Sequence, residues 1–193
     1  MDPTARYPVP LDTVLLTPRC RLRRIEPTDA SSLWSAIQQP GFVDGLGWHH
    51  LQSMTDVYAR IDRDQNDWRQ GQRFAWTILP RDLSVVLGGV TIAPEPEVRT
   101  WMMSYWIHPT SWGQGYATEA AQAVLDFGFS ALDAVSIWAG SALWNTASRR
   151  VLEKLGMLYR GANPKGYELR GQAVETEEFE MPRQVWQTQR SRA

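Results

Sequence analysis

The sequence predicts a mixed α/β fold, in which a mostly antiparallel central sheet carries helices on both faces. The predicted elements run strand, two helices, three strands, helix, strand, helix and two strands, so strand–helix–strand units follow an antiparallel run. The segment TWMMSYWIH (100–108) is apolar on both faces, as expected for a central strand that is covered on both sides. A chain of 193 residues, 43% hydrophobic and 21% charged, is long enough for one domain with a single core.

The first half of the chain begins with a polar, Pro-rich stretch, residues 1–13, which we expect to be a flexible arm. Residues 14–25 alternate apolar and polar side chains and predict the first strand. A helix is expected to start at Pro27, because apolar side chains then recur at helical spacing. After a glycine-rich loop at 40–50, the same spacing predicts a second helix over 53–69.

The second half supplies the remaining elements. Strands are predicted where apolar or β-branched residues form short runs, over residues 73–80, 84–93, 100–108, 134–140, 157–161 and 178–182. Helices are predicted over 114–130 and from Asn145, as the N-cap, to Gly156, as the stop. We expect a single domain over residues 14–186, followed by a disordered tail over 187–193.

Charge and cysteine content exclude several classes of function. With 20 basic and 21 acidic residues the formal net charge is −1, so no overall field attracts nucleic acid or an acidic membrane surface. Cys20 is the single cysteine and cannot form an intrachain disulfide. The first residues lack a signal-peptide pattern, and no apolar run approaches the about 18 residues of a membrane span. We therefore expect a cytoplasmic protein without nucleic-acid or membrane partners.

The segment WGQGYATEA (112–120) places Gly113 and Gly115 directly before a predicted helix. A helix N-terminus presents unpaired backbone N–H groups and a partial positive charge, and can therefore hold a phosphate without a lysine. The glycines remove the side chains that would block such a ligand, and Ala117 keeps the next turn slim. The turn is suited to a pyrophosphate, although a plain tight turn has the same composition. Its spacing matches neither the dinucleotide fingerprint nor the NTPase phosphate loop.

The segment NTASRRVLEKLGM (145–157) forms a second group of polar residues at a helix start. Asn145 and Ser148 lie one turn apart at the open end of that helix. Two helix N-termini that flank adjacent parallel strands define a crevice at the carboxyl ends of the strands. An extended ligand with a phosphate at one end and amide groups in its middle fits this crevice, and coenzyme A has that shape.

The segments PTSWGQGYATEAAQAVLDFGF and WNTASRRVLEKLGM, in this order, resemble the GNAT N-acetyltransferases. They are similar in particular to the branch of the ribosomal-protein N-terminal acetyltransferases (RimJ/RimL-like), and the resemblance covers about Leu15 to Trp186. It implies the GNAT acyl-CoA N-acyltransferase fold, with a sheet splayed between two central strands. It also implies acetyl-CoA as cosubstrate, no metal, and direct transfer to a primary amine. A protein N-terminus and a small molecule both remain open as acceptors, and so does a homodimer.

The resemblance also implies the residues that bind the cosubstrate. The pyrophosphate is expected on the N–H groups from Trp112 to Thr118, and the pantetheine arm along the backbone of 105–108. Many relatives carry Gln or Arg where Trp112 stands, so that side-chain contact is lost here. Arg149 and Arg150 are either ligands of the 3′-phosphate or an exposed pair. The full expected set is Tyr105, Trp106, Ile107, His108, Trp112, Gly113, Gln114, Gly115, Tyr116, Ala117, Thr118, Asn145, Ser148 and Arg149.

The chemical roles are filled only in part. Many relatives protonate the leaving thiolate with a tyrosine where Leu152 stands, and leucine cannot donate a proton. Ser148 is the nearest hydroxyl, either as the donor to the thiol or as a helix-capping group. Ser148 and Asn145, whose amide is expected to bind pantetheine, are the predicted catalytic residues. The oxyanion donor is expected to be a backbone N–H at Ile107 or His108.

The general base is left unassigned by the sequence. Many relatives carry a glutamate on the central strand where Met102 and Met103 stand, so a water chain or a carboxylate from elsewhere must serve. Five other candidates for the base also have structural interpretations. His108 ends a strand, and His49 and His50 lie in an exposed loop. Glu119 lies in the first turn of a helix, and Glu175 lies in a solvated turn. Trp48 is a candidate for the acceptor pocket. Without a base, an acyl-CoA-binding sensor on the same fold is the alternative to an enzyme.

Overall fold

The computed structural model describes residues 8–46, 51–169 and 171–191. The predictions for residues 1–7, and for Trp48, His49 and His50, lie outside the described residues. The strands of the described part are β1 Leu15–Leu16, β2 Cys20–Arg24, β3 Phe74–Pro80, β4 Gly88–Pro94, β5 Thr100–Ile107, β6 Ser136–Ala142, β7 Leu158–Leu169 and β8 Gln172–Pro182. The α-helices are α1 Ala30–Ile37, α2 Met54–Gln70, α3 Tyr116–Ser130, α4 Thr146–Lys154 and α5 Arg183–Arg190.

The described strands form one sheet of eight, in the order β1-β2-β3-β4-β5-β6-β8-β7. Neighbours pair antiparallel throughout this described sheet except for β5 and β6, which run parallel. That pair is in register only from Thr100↔Ser136 to Met102↔Trp138, and beyond these residues the two strands separate. The predicted mixed, mostly antiparallel sheet, splayed between two central strands, is therefore confirmed.

Helices cover both faces of the sheet, as predicted. On one face, Ala121 and Val124 of α3 pack with Trp101 and Met103 of β5 in the larger hydrophobic cluster. On the other face, α1 and α2 bury apolar residues against Ala75 of β3 in a second cluster. Because β5 carries apolar side chains toward both faces, the sequence around it reads as one continuous hydrophobic run.

Helix boundaries follow local hydrogen bonding. The hydroxyl of Ser53 accepts the N–H of Asp56 at 3.2 Å and begins α2. Asn145 Oδ1 accepts the N–H of Ser148 at 3.1 Å and begins α4. Gly71 ends α2 at φ 68°, a left-handed conformation that glycine adopts without a steric penalty.

The end of the chain differs from its prediction in two ways. The closing hairpin is longer than predicted, because residues 162–169 continue β7 and residues 172–177 begin β8. The prediction of a disordered tail is wrong for residues 187–190, which complete α5. This helix is anchored by Trp186, whose ring stacks on Phe129 at 5.0 Å and whose indole N–H donates to Asp126 at 2.7 Å. The polar residues around Trp186 concealed this contact in the sequence.

A buried ion pair joins β2 to the start of α1. Asp29 is only 4% exposed and accepts two hydrogen bonds from the Arg23 guanidinium, at 2.7 and 2.8 Å. The Thr77 hydroxyl and the Glu26 N–H also donate to its carboxylate. Burial raises the pKa of Asp29, but the hydrogen bonds from Arg23, Thr77 and Glu26 outweigh it, so the net pKa is lowered.

We predict that Asp29→Asn lowers the free energy of unfolding by about 3–5 kcal/mol at pH 7, because it leaves the Arg23 charge without its partner. The folded-state pKa of Asp29 lies below its ordinary value of 3.8. The ionised carboxylate therefore contributes its full share to the free energy of unfolding of the wild type above that pH. This stabilisation is lost as the pH falls through the folded-state pKa. The difference in free energy of unfolding between Asp29→Asn and wild type then becomes small.

Urea unfolding at pH 7 and in steps below pH 4 measures this difference. Asp82→Asn, at an exposed turn, is the control and is expected within about 0.5 kcal/mol of wild type. If Asp29→Asn lowered the free energy of unfolding equally at every pH, the charge of Asp29 would not contribute to stability.

Candidate active site

A cavity of about 1130 Å³ lies at the separation of β5 and β6. Its wall on the α3 and α4 side includes residues 115–118 and 145–148. Its wall on the opposite side includes Leu33 of α1 and Asp64 of α2. The opening between the two strands thus connects the two faces of the sheet.

The turn before α3 is shaped to hold an anion. Gly113 and Gly115 both adopt left-handed conformations, at φ 74° and 82°, and Gly115 is the N-cap of α3 without a side-chain cap. Among the described residues, the backbone N–H groups from Gly113 to Thr118 find no acceptor. A Cβ built on Gly113 would meet nothing within 4 Å, so the space beside the turn is open. This cradle fits a diphosphate.

Arg19, which the sequence analysis did not select, holds this turn in place. Its Nε donates to Glu119 Oε2 at 2.6 Å, and its Nη1 donates to the carbonyl of Gln114 at 2.9 Å. Its guanidinium also lies 4.7 Å from the centre of the Tyr116 ring. The Thr17 hydroxyl donates to the same glutamate at 2.6 Å. Only the tertiary fold brings the β1–β2 loop to α3, so the sequence held no local signal for this contact.

Glu119 therefore has the structural role expected from its place in the first turn of α3. Burial raises its pKa, but hydrogen bonds from Thr17 and from Arg19 outweigh burial and lower the net pKa. The carboxylate remains charged and bound to Arg19, so it is not available as a base.

The backbone of β5 presents polar groups to the opening. Trp112, 54% exposed, donates its indole N–H to the carbonyl of Ile107 at 2.7 Å. The N–H of His108 donates to Leu87 at 2.8 Å, which removes His108 from the two expected oxyanion donors. Because backbone hydrogen bonds alternate along antiparallel strands, the N–H of Ile107 points away from β4 and toward the opening.

Tyr105 and Ser148 connect the two sides of the opening. The Tyr105 hydroxyl lies 2.9 Å from Ser148 Oγ and donates to the Ser148 carbonyl at 3.2 Å. Burial raises the pKa of Tyr105 to about 12, although its hydrogen bond with Ser148 acts in the opposite direction. The tyrosine is therefore protonated near neutral pH. Leu152, which belongs to α4, is fully buried.

Asn145 lies beside this pair and uses its carboxamide oxygen to cap α4. Its amide nitrogen faces the loop before α2, because a Cβ built on Gly45 would lie 3.0 Å from Asn145 Nδ2. The amide nitrogen is therefore the part of the side chain that remains for a ligand.

The two arginines at the start of α4 differ in their surroundings. Arg149 donates to Glu153 and to Glu177, both at 2.8 Å, and does not line the cavity. Arg150 and Lys154 do line the cavity, and neither forms an ion pair within the described part of the chain. The cationic side chains of α4 on the cavity wall are thus Arg150 and Lys154 rather than Arg149.

The other predicted residues divide by their place relative to the cavity. Gln114 and His108 are not on its wall, since the carbonyl of Gln114 binds Arg19 and the His108 ring lies 2.8 Å from the Thr110 hydroxyl. The remaining predicted residues line the wall: Tyr105, Trp106, Ile107, Trp112, Gly113, Gly115, Tyr116, Ala117, Thr118, Asn145 and Ser148. Glu175 is exposed and lies outside the cavity.

The described residues contain no cluster of three or more His, Cys, Asp or Glu side chains suited to a metal ion. Within the same residues, no helix has the length and apolarity that crossing a membrane requires.

Comparisons with known proteins agree on one family. Residues 19–158 match the model of the acetyltransferase (GNAT) domain. YoaA of Bacillus subtilis (strain 168), described as an uncharacterized N-acetyltransferase, is 28% identical over 149 residues, which are 77% of this chain and 84% of YoaA.

Solved structures of acetyltransferases share the fold. RimL, a ribosomal-protein α-N-acetyltransferase in complex with coenzyme A, superposes with a TM-score of 0.80 at 15% identity, over 90% of this chain and 99% of RimL. The microcin self-immunity acetyltransferase MccE, in complex with acetyl-CoA and AMP, superposes with a TM-score of 0.76 at 17% identity, over 86% of this chain and 93% of MccE.

Proposed function

The chain belongs to the GNAT acetyltransferase family, and from that membership we propose that its single domain transfers acetyl from acetyl-CoA directly to a primary amine, with a protein N-terminal α-amine as the acceptor. Acyltransferase activity and acetyl-CoA as cosubstrate follow from the family. The protein acceptor is supported by the likeness to RimL, which acts on a ribosomal protein. A small-molecule amine is the second candidate, because the MccE complex holds AMP on a similar fold.

The opening between β5 and β6 carries this proposal. At one end, the cradle at Gly113 and Gly115 offers unpaired N–H groups to a diphosphate. Along the opening, the free edge of β5 offers hydrogen bonds to an extended amide chain, as an added strand would receive. Ser148 stands on the same face as the cradle. Bound acetyl-CoA supplies the thioester, which carries the acetyl group and the leaving thiol.

The residues of this chain supply two of the three chemical groups that direct transfer needs. The N–H of Ile107 points into the opening and is placed to stabilise the oxyanion that develops on the acetyl carbonyl. The Ser148 hydroxyl, held by Tyr105, is placed to donate a proton to the leaving thiolate. Asn145 holds the pantetheine arm through its amide nitrogen. The third group must take a proton from the amine.

The test is acetyl transfer by the purified chain. We expect acetyl-CoA to bind in calorimetry, and free thiol to appear when short peptides with free N-termini are added. Greater turnover with small primary amines than with peptides would favour the second candidate. Gly115→Val is expected to abolish both binding and turnover, because a β-branched residue is strained at φ 82° and its Cβ would lie 3.4 Å from Arg19 Nη2, which holds the turn. Binding without turnover on any amine would support a sensor instead.

The 3′-phosphate of coenzyme A distinguishes the two arginines. We predict that Arg150→Gln reduces the preference for coenzyme A over dephospho-coenzyme A by about 10-fold, the effect of one charge-assisted hydrogen bond. The matched control Arg149→Gln is expected to keep the preference, because Glu153 and Glu177 already bind that guanidinium. Calorimetry with coenzyme A and dephospho-coenzyme A measures this preference. A loss of preference in Arg149→Gln alone would contradict the assignment of Arg150 to the 3′-phosphate.

Replacing the proposed acid tests the chemistry of the thiol. We predict that Ser148→Ala lowers kcat by about 100-fold or more with little change in acetyl-CoA affinity, because the thiolate then leaves without a proton donor. Tyr105→Phe keeps the serine hydroxyl and is expected to have a smaller effect on kcat. Steady-state kinetics and calorimetry separate the two quantities. A kcat for Ser148→Ala within about 3-fold of wild type would exclude the serine as the acid.

A further inference from the structure

We propose that Glu178 of β8 is the general base, which binds the ammonium group of the acceptor and takes its proton. This assignment rests on the proposed function and deepens it, since it names the group that the central strand lacks. It also defines the acceptor as a cation that approaches from the α1 and α2 side of the sheet.

Three described carboxylates line the cavity: Asp29, Asp64 and Glu178. Asp29 is fully engaged by Arg23, Thr77 and Glu26. Asp64 lies between two guanidinium groups, 3.7 Å from Arg60 Nε and 3.2 Å from Arg73 Nε. Both oxygens of Asp64 thus already face a cationic partner within the chain, so this carboxylate is not free to bind the ammonium group of an acceptor.

Glu178 has different partners. Asn163 of β7 donates its amide to Glu178 Oε1 at 2.7 Å. Among the described residues, no arginine or lysine forms an ion pair with Glu178, and its second oxygen accepts no hydrogen bond. A neutral amide orients the carboxylate without adding a charge. Of the three carboxylates, Glu178 therefore keeps the capacity to attract an ammonium group and to accept its proton.

The sheet register places Glu178 beside the opening. Trp138 is the last residue of β6 in register with β5, and Gly140 follows it on the same face. Gly140 is the direct partner of Glu178 in the antiparallel pair of β6 and β8, so both point to that face. Gly140 itself places no side chain between Glu178 and the opening, and the ring of Trp138 lies beside it, 3.8 Å from a Cβ built on Gly140. Neighbouring strands are about 4.8 Å apart, a distance that a glutamate side chain spans.

The same register separates the base from the acid. Ser104 and Trp106 of β5 share a face with Glu178, whereas Tyr105 points to the other face, where it meets Ser148. The amine thus arrives from one side of the sheet, and the thiol leaves from the other. Trp106 and Trp138 give the acceptor side an aromatic wall, which also favours a cation.

The protons balance in this arrangement. The acceptor ammonium gives one proton to Glu178, which passes it to solvent, and the neutral amine attacks the thioester carbonyl. The carbon–nitrogen bond forms and the carbon–sulfur bond breaks. The nitrogen loses its second proton, and the sulfur gains one from Ser148, so the serine must recover the proton that nitrogen releases. The products are the acetylated amine, the free thiol and one proton in solution.

The test compares Glu178→Gln with wild type, using the peptide or small amine that turns over fastest. We expect kcat/KM to fall by about 100-fold or more at pH 7, the usual contribution of a general base. The acidic limb of the pH–rate profile should flatten, because the group that must be ionised is gone. Acetyl-CoA affinity should not change, since the cosubstrate binds on the opposite face. Glu178→Asp keeps the carboxylate and should recover part of the rate.

The matched control is Glu180→Gln, two residues further along the same strand and face. Glu180 binds Arg160 at 2.6 Å and does not line the cavity, so its variant is expected to keep wild-type rates. A folded Glu178→Gln variant with kcat/KM within about 3-fold of wild type and an unchanged pH profile would overturn the assignment and leave the transferase intact. A wild-type chain that binds acetyl-CoA and acetylates no amine would overturn the proposed function, and with it the role of Glu178.

Discussion

The separation of β5 from β6 is the constraint on which the site depends. Three residues on each strand pair in parallel, and the strands then diverge, leaving a hole in an otherwise continuous sheet. An unpaired strand edge inside a protein exposes backbone groups that must find other partners. In the proposed function those groups form the surface that binds the pantetheine arm. The cavity, its two entrances and the placement of Tyr105 all follow from that divergence.

Two aromatic side chains stabilise this open region. The indole of Trp112 satisfies the last carbonyl of β5, and the Tyr105 hydroxyl bonds to the start of α4 across the opening. Both contacts come from bulky aromatic residues that carry one polar atom each, which allows them to pack and to hydrogen-bond at once. The aromatic content of the sequence therefore serves the opening as well as the core, where Trp68 and Trp76 pack at 4.9 Å.

Local signals in the sequence were sufficient for the parts of the site built from neighbouring residues. The two glycines predicted the turn before α3, and Asn145 with Ser148 predicted the start of α4, because caps and turns are short-range features. Contacts between distant segments were not predictable in this way. Arg19 reaches the turn only because α3 crosses the sheet next to β2, and Arg149 is bound by Glu177 only because β8 pairs beside β6. The length of the closing hairpin and the helix after it likewise depend on partners elsewhere in the chain.

The contacts of Arg19 with the turn before α3 have a consequence for ligand binding. The loop is held in shape by Glu119, Gln114 and Tyr116 before any ligand arrives, so little conformational entropy is lost when one does. In the proposed function, the cosubstrate therefore meets a turn that is already in its binding conformation. The β1–β2 loop, three strands away from the opening, thereby preorganises the turn before α3.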